Sequence, residues 1–294
     1  MKKNNDFVAG VIFSLINSLS LGILGVVDKI GAGQFTSSIV FSTQSVFFSL
    51  LFVTLFALFY FKSSFILQTK SISIPSLKYI FFAGIFASGF FILFRFLGLK
   101  QATGTFATLG QVIITAETAI LSLLFLKEKL SKIFWILFVF ILIAIYFVSV
   151  GSFTFEPLRE GDSLIIFGAS FVAFANVFSK LAVNKVNPVV FSEGRFLSGG
   201  VFLVIVALLF FHSNVFIFSI WSILSGFFWA INVIAFNFAI KKIGVTFTTS
   251  LLMIAPIYTM ILEYFILKQT FNGIQIVAAL LVIICGIVMV ISKK

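Results

Sequence analysis

Very little of this sequence is suited to chemistry. It has one Cys and one His in 294 residues. An intrachain disulfide is therefore impossible, and no His/Cys/Asp cluster with metal-ligand spacing occurs. The phosphate-cradling pattern Gly-x-x-x-x-Gly-Lys-Ser/Thr is absent, and no long loop is available to house a soluble catalytic domain. No cofactor is implied. Charge is scarce as well: 10% of residues against about 25% in a soluble globular domain. The 20 Lys and Arg outnumber the nine acids, and their placement rather than their sum carries the meaning.

What fills the sequence instead is apolar: 61% of residues, with 44 Phe and a mean hydropathy of +1.23. A bilayer-spanning helix needs about 20 predominantly apolar residues. Ten runs of that kind occur, at 7–27, 38–61, 77–98, 103–126, 133–151, 162–183, 189–211, 217–238, 245–267 and 271–291. The first is longer than the hydrophobic region of a signal peptide, and no Ala-x-Ala site follows it, so it reads as a retained helix. The expected fold is an all-α polytopic membrane protein with ten transmembrane helices in contact with lipid. The abundant Phe is expected as lipid-facing filler.

The basic residues orient it. Lys2, Lys3, Lys62, Lys70, Lys78, Lys127, Lys129, Lys132, Lys180, Lys185, Lys241, Lys242, Lys293 and Lys294 fall on one side. Only Lys29, Lys100, Arg159 and Lys268 fall on the other. The positive-inside rule then places both termini in the cytoplasm, in a cytoplasmic (inner) membrane. It explains the net charge of +11 without a nucleic-acid partner. The acidic stretch 155–162 faces outward.

The chain is also doubled. Thr105-Phe106-Ala107-Thr108 opens a span that closes at Leu126-Lys127-Glu128-Lys129; 141 residues later Thr246-Phe247-Thr248-Thr249 opens one that closes at Leu267-Lys268-Gln269-Thr270. At the heads of the halves a shift of 151 places Lys29 on Lys180, Gly22 on Ala173 and Gln44 on Arg195. The ten-residue difference is absorbed by the longer polar loop 62–76. The sequence thus divides into two repeats, 1–152 and 162–294, joined by an external linker 153–161. Each has five spans, so the second must enter the bilayer from the opposite side.

These features together resemble the EamA-like family of the drug/metabolite transporter superfamily. The points of resemblance are halves of five helices, a basic residue closing helices 1 and 6, and a fourth helix ending in an apolar run plus Lys127-Glu128. Pro256 lies thirteen residues before Gln269, where the family often has an acid. Arg195 fits a family Arg early in helix 7, and Gln44 departs from its equivalent. The resemblance implies a secondary transporter of small metabolites such as amino acids or related amphiphiles. Its cavity would lie between helices 1, 3, 4, 6, 8 and 9.

Polar residues deep in a membrane are candidate sites. Glu117 sits near the middle of helix 4, on a line with Thr103 and Gly110 beside a polar stripe that includes Gln111, Thr115 and Thr118, and is the candidate for substrate, proton or cavity work. Arg95 and Glu263 share one depth and are a candidate pair for an outer gate. Asn17, Asn176 and Asn232 are mid-span amides, Lys180 shares the Asn176 face, and Trp229 is central and available to stack on a substrate. Pro256 is a candidate hinge. A non-transporting accessory protein would instead satisfy every such group by packing and leave no cavity. An intramembrane enzyme would need a clustered nucleophile or acid pair that these residues do not form.

Overall fold

A computed structural model describes residues 2–35, 37–61, 72–126, 131–154, 156–182, 185–211 and 219–291. Among these the fold is all helix. In lipid every backbone N–H and C=O must be satisfied within its own segment, which leaves the helix as the only economical answer for long apolar runs. Eight helices are long and apolar enough to cross a membrane: α1 (Asp6–Gln34), α2 (Ser38–Phe61), α3 (Ile74–Leu99), α4 (Gly104–Phe125), α5 (Lys132–Val150), α6 (Glu160–Ser179), α7 (Pro188–Phe210) and α8 (Ile220–Gly244). Two shorter apolar helices complete the chain, α9 (Ala255–Leu267) and α10 (Gly273–Cys285).

Three departures from simple spans shape the interior. Helix α1 continues to Gln34, well beyond the apolar run that ends at residue 27, and so carries Asp28 and Lys29 inside the bundle. Helix α3 contains a π-helical turn over Ile85–Phe90. With the helical residues 245–252 that precede it counted in, helix α9 is discontinuous: Met253 and Ile254 form a turn, and the helix restarts with Pro256 as its second residue. A missing N–H is harmless there. Gly244, at φ 80°, separates α8 from the first piece of α9 in a conformation that side chains disfavour.

Helix contacts trace a closed ring, α1–α8–α2–α7–α3–α6–α4–α9 and back to α1, with α5 and α10 paired outside it against α4. Every neighbour in this ring belongs to the other repeat. Exchanging each helix for its counterpart five places on maps the ring onto itself, which is the pattern of a pseudo-twofold axis. The repeats interleave rather than forming two self-contained five-helix bundles.

Individual residues obey the same exchange. Asn17 meets Asn232, and the corresponding Gly168 meets Phe91. A Cβ at Gly25 would lie 2.4 Å from the Thr259 methyl, while the corresponding Asn176 bonds Thr118 at 3.2 Å. Gly10 abuts Ile243, and Gly161 abuts Ala102. Shifts of 151 for the first helix of a repeat and 141 for the third and fourth produce all three pairings, so the structure reproduces both sequence offsets. Small residues at these crossings let helices approach closely, the usual device where lipid removes the hydrophobic drive between helices.

Exposed Phe and Leu side chains such as Phe59, Phe210 and Leu209 coat the outside. Phe is not only filler, however. Phe41, Phe96, Phe106, Phe191 and Phe196 are among the largest fully buried side chains. Phe82, Phe86, Phe90 and Phe94 also form a ladder on α3 against Phe167, Phe171 and Phe178 of α6.

Candidate functional site

Two polar regions lie inside the ring. The first is at the end carrying the α1–α2, α3–α4, α5–α6 and α9–α10 connections. There Arg95 and Asp28, both 0% exposed, form an ion pair at 3.1 Å between Nε and Oδ2. Arg95 Nη1 also donates to the Ala107 carbonyl at 3.0 Å. Ser225 donates to Asp28 Oδ1 at 2.6 Å and shares a second bond with Ser45. One ion pair therefore ties α1, α3, α4 and α8, with α2 attached through Ser45. The Arg95 guanidinium lies 5.6 Å from the centroid of the Trp229 ring, a cation–π distance.

Glu263 occupies the same end but does not touch Arg95, so the anticipated pairing is corrected. Arg95 had a nearer acid, Asp28, which the longer α1 turns inward. Glu263 reaches instead across the repeats to the start of α4. It accepts from the Gly104 N–H at 2.7 Å, the Thr105 N–H at 2.9 Å and the Thr105 hydroxyl at 2.6 Å. A carboxylate on the exposed amides of a helix N-terminus satisfies orphan donors and complements the dipole. Lys29 also turns to a neighbouring helix: its ammonium donates to the Leu99 carbonyl at the end of α3, 2.7 Å away. Asp162, expected in an outward acidic stretch, is buried in the first turn of α6 and accepts from Ser149.

The second region is a cavity of about 50 Å³ near the middle of the bundle. Its walls come from α1 (Asn17, Leu21), α3 (Phe91), α4 (Ile114, Thr115), α6 (Val172, Asn176), α8 (Trp229, Asn232, Val233, Phe236) and the 245–252 segment of α9 (Leu252). These are the six helices implied by the family resemblance. A seventh, α7, contributes Arg195. The space suffices for a few waters or one small polar group, and a whole metabolite needs some hundreds of Å³. The bundle is therefore contracted around it.

Asn17 and Asn232 clasp each other across α1 and α8, each amide donating to the other's main-chain carbonyl, at 2.8 and 3.2 Å. Asn17 Oδ1 is buried without a partner. Asn176 donates to Thr118 between α6 and α4. Arg195 is 7% exposed, and Nε donates to Ser88 Oγ at 3.1 Å in the π-helical turn of α3.

Asn17, Asn176, Asn232 and Trp229 thus meet at one cavity, and Arg95 approaches it through Trp229. Glu117 lies beside this cavity without lining it. It accepts from Ser170 at 2.9 Å in the α4–α6 contact, with its other oxygen buried and unpartnered. Glu263 stands apart at the Asp28 end, and Pro256 marks the break in α9. The side chains of Gln111 and Lys180 lie outside the described residues. Sequence reasoning overlooked Asp28, because the apolar run stops one residue before it. Its signal was available in the adjacent Lys29: a charged pair closing a helix that has no loop residues until Gly31 and Gly33. Arg195 stood out only through the repeat offset and its family position.

The EamA-like transporter family model matches residues 8–150 and 159–292, once for each repeat. One solved structure, described only as a crystal structure of a protein, is similar in fold. Its TM-score is 0.65 at 16% identity, over 96% of this chain and 95% of that one. No curated protein sequence matches. With two matches covering nearly the whole chain, a ring of helices exchanged by a pseudo-twofold axis and a polar cavity at its centre, this multi-pass membrane protein belongs to the EamA-like transporter family of the drug/metabolite transporter superfamily.

Proposed function

We propose that the chain is a secondary active transporter. It would move a small metabolite, such as an amino acid or related amphiphile, across the cytoplasmic membrane by alternating access. Ten helices span the bilayer in two inverted repeats, α9 and α10 included, with both termini cytoplasmic and the Asp28 end outside. One observation carries this reading: a polar cavity lined by three pairs of pseudo-equivalent helices, with a buried charged latch at the Asp28 end. The Asp28 end is closed by Asp28–Arg95 and Glu263. Their pseudo-equivalents toward the other end are Ser179, Phe236 and Ser122, none of them charged. A buried ion pair at one end with no charged counterpart at the pseudo-equivalent positions supports two states of different stability, which is what a solute gradient or an ion gradient can bias.

Because the repeats interleave, each moving body combines helices of both. The break before Pro256 serves as the hinge, since residues 253–254 already lack the helical ladder there. Glu117 is the group proposed to carry a coupling proton, because it lies on α4, which lines the cavity through Ile114 and Thr115, and has one buried oxygen unpartnered. The accessory-protein reading requires every deep polar group to be satisfied. Asn17 Oδ1 and Glu117 Oε2 speak against it.

The test is uptake into proteoliposomes from a metabolite panel, with and without a pH gradient, for the wild type and Glu117→Gln. The wild type should move at least one compound. Glu117→Gln retains an acceptor for Ser170, so it should fold yet lose stimulation by the gradient. Gradient-stimulated flux equal to wild type would remove Glu117 from coupling. An inert wild type would overturn the transport reading.

A further inference from the structure

The central cavity has an unbalanced charge. Arg195 brings a guanidinium to its wall, and no Asp or Glu lines it among the described residues. Among the described residues the Arg195 side chain has one hydrogen bond, from Nε to Ser88, and no ion pair. A buried, uncompensated cation is expensive, and proteins normally pair it. Arg95, of the same type and also buried, shows the contrast: it has Asp28 at 3.1 Å.

The placement of Arg195 is fixed by tight packing. A Cβ at Gly84 would lie 2.4 Å from the Arg195 carbonyl oxygen and 1.8 Å from Ser198 Oγ, so α3 and α7 touch backbone to backbone there. Directly beyond, Ser88 in the π-helical turn takes Nε. With Nε held, the outer edge of the planar fork is left for the cavity. Two parallel N–H donors on one edge match a planar monoanion such as a carboxylate. Across the cavity wait the unpartnered Asn17 Oδ1 and the Trp229 ring, an acceptor and an apolar face.

We infer that Arg195 is the anchor of the substrate site and that the transported compound carries a carboxylate, neutralising the guanidinium on entry. A hydrogen-bond donor elsewhere on the compound meets Asn17 Oδ1. One cation matches one negative charge, so a phosphate dianion, a neutral compound and a cation are all poorer fits. This assignment rests on the transport reading and narrows it to a substrate class.

The experiment uses the full chain in proteoliposomes with matched pairs of probes: the proteinogenic amino acids, lactate and pyruvate, each beside its carboxamide. Uptake is paired with melting of the detergent-solubilised protein. Carboxylates should be moved and should raise the melting temperature, and their amides should fail by a hundredfold or more, because a site built for a charged partner rejects the analogue lacking it. Arg195→Gln should lose the carboxylate preference. Arg195→Lys, which keeps the charge but not the fork, should keep the preference with KM raised about tenfold. Carboxamides moved as well as carboxylates, Arg195→Gln with wild-type KM, or Arg195→Lys without preference would each overturn the assignment while leaving transport intact. A panel in which nothing is moved or bound would remove the transport reading itself.

Discussion

Neutralising Asp28 should weaken the protein far more than neutralising Asp28 and Arg95 together. Both side chains are 0% exposed, and their closest approach is 3.1 Å. At an effective dielectric of about 20, charges at that separation attract by about 5 kcal/mol. Removing one partner of a buried pair typically costs about 3–5 kcal/mol, because the other is left charged without compensation. Asp28→Asn keeps the shape and an acceptor for Ser225. It strands Arg95 with only the Ala107 carbonyl and the Trp229 face. The double variant Asp28→Asn/Arg95→Met removes the stranded charge and should recover most of the loss, to within about 1–2 kcal/mol of wild type. Arg95→Met alone strands Asp28 in the same way, so the two single losses together should exceed the loss in the double variant by at least about 4 kcal/mol, which is the expected coupling energy.

Cys285 supplies the readout. It is the only thiol in the sequence and is buried in α10, so a fluorogenic maleimide reacts with it only on unfolding. Melting by this signal gives all four corners of the cycle with no introduced cysteine. Additive single effects, with a coupling below about 0.5 kcal/mol, would refute the ion pair as the latch of this end.

Two further substitutions probe the frame. Gly25→Ala should lower the melting temperature and cost about 1–3 kcal/mol, because the new methyl meets Thr259 Cγ2 at 2.4 Å and Oγ1 at 2.8 Å in the α1–α9 crossing. An unchanged melting curve would show that this crossing is not tight. Glu263→Gln replaces an acceptor of three hydrogen bonds with one that has a single acceptor oxygen and no charge for the α4 N-terminus. About 2–4 kcal/mol should be lost, with faster hydrogen exchange confined to the first turn of α4. Uniform exchange along α4 would contradict the capping role.

Much of this protein was legible before any coordinate. The all-helical class, and the extent of the eight helices long enough to cross a membrane, came from apolar runs because hydrocarbon forces the backbone to satisfy itself locally. The doubling came from two sequence offsets, and the helix pairings reproduce them. The polar candidates Asn17, Asn176, Asn232 and Trp229 were found because deep polar groups are rare and conspicuous. The failures were at ends and at partners. Asp28 was hidden because a hydropathy run ends at a charge even when the helix does not. Arg95 and Glu263 were matched by depth alone, and depth does not say which faces turn toward each other.

The sequence by itself determined the solvent, the helices, the repeat and the shortage of charge. Those are local properties, set residue by residue by the cost of burying polar groups in lipid. Only the tertiary structure decided that the two repeats alternate around one ring, that Arg95 answers Asp28, and that Arg195 is left without a carboxylate. Those outcomes depend on which helix faces meet, and the close approaches at Gly25, Gly84 and Gly161 that fix them join residues far apart in the chain.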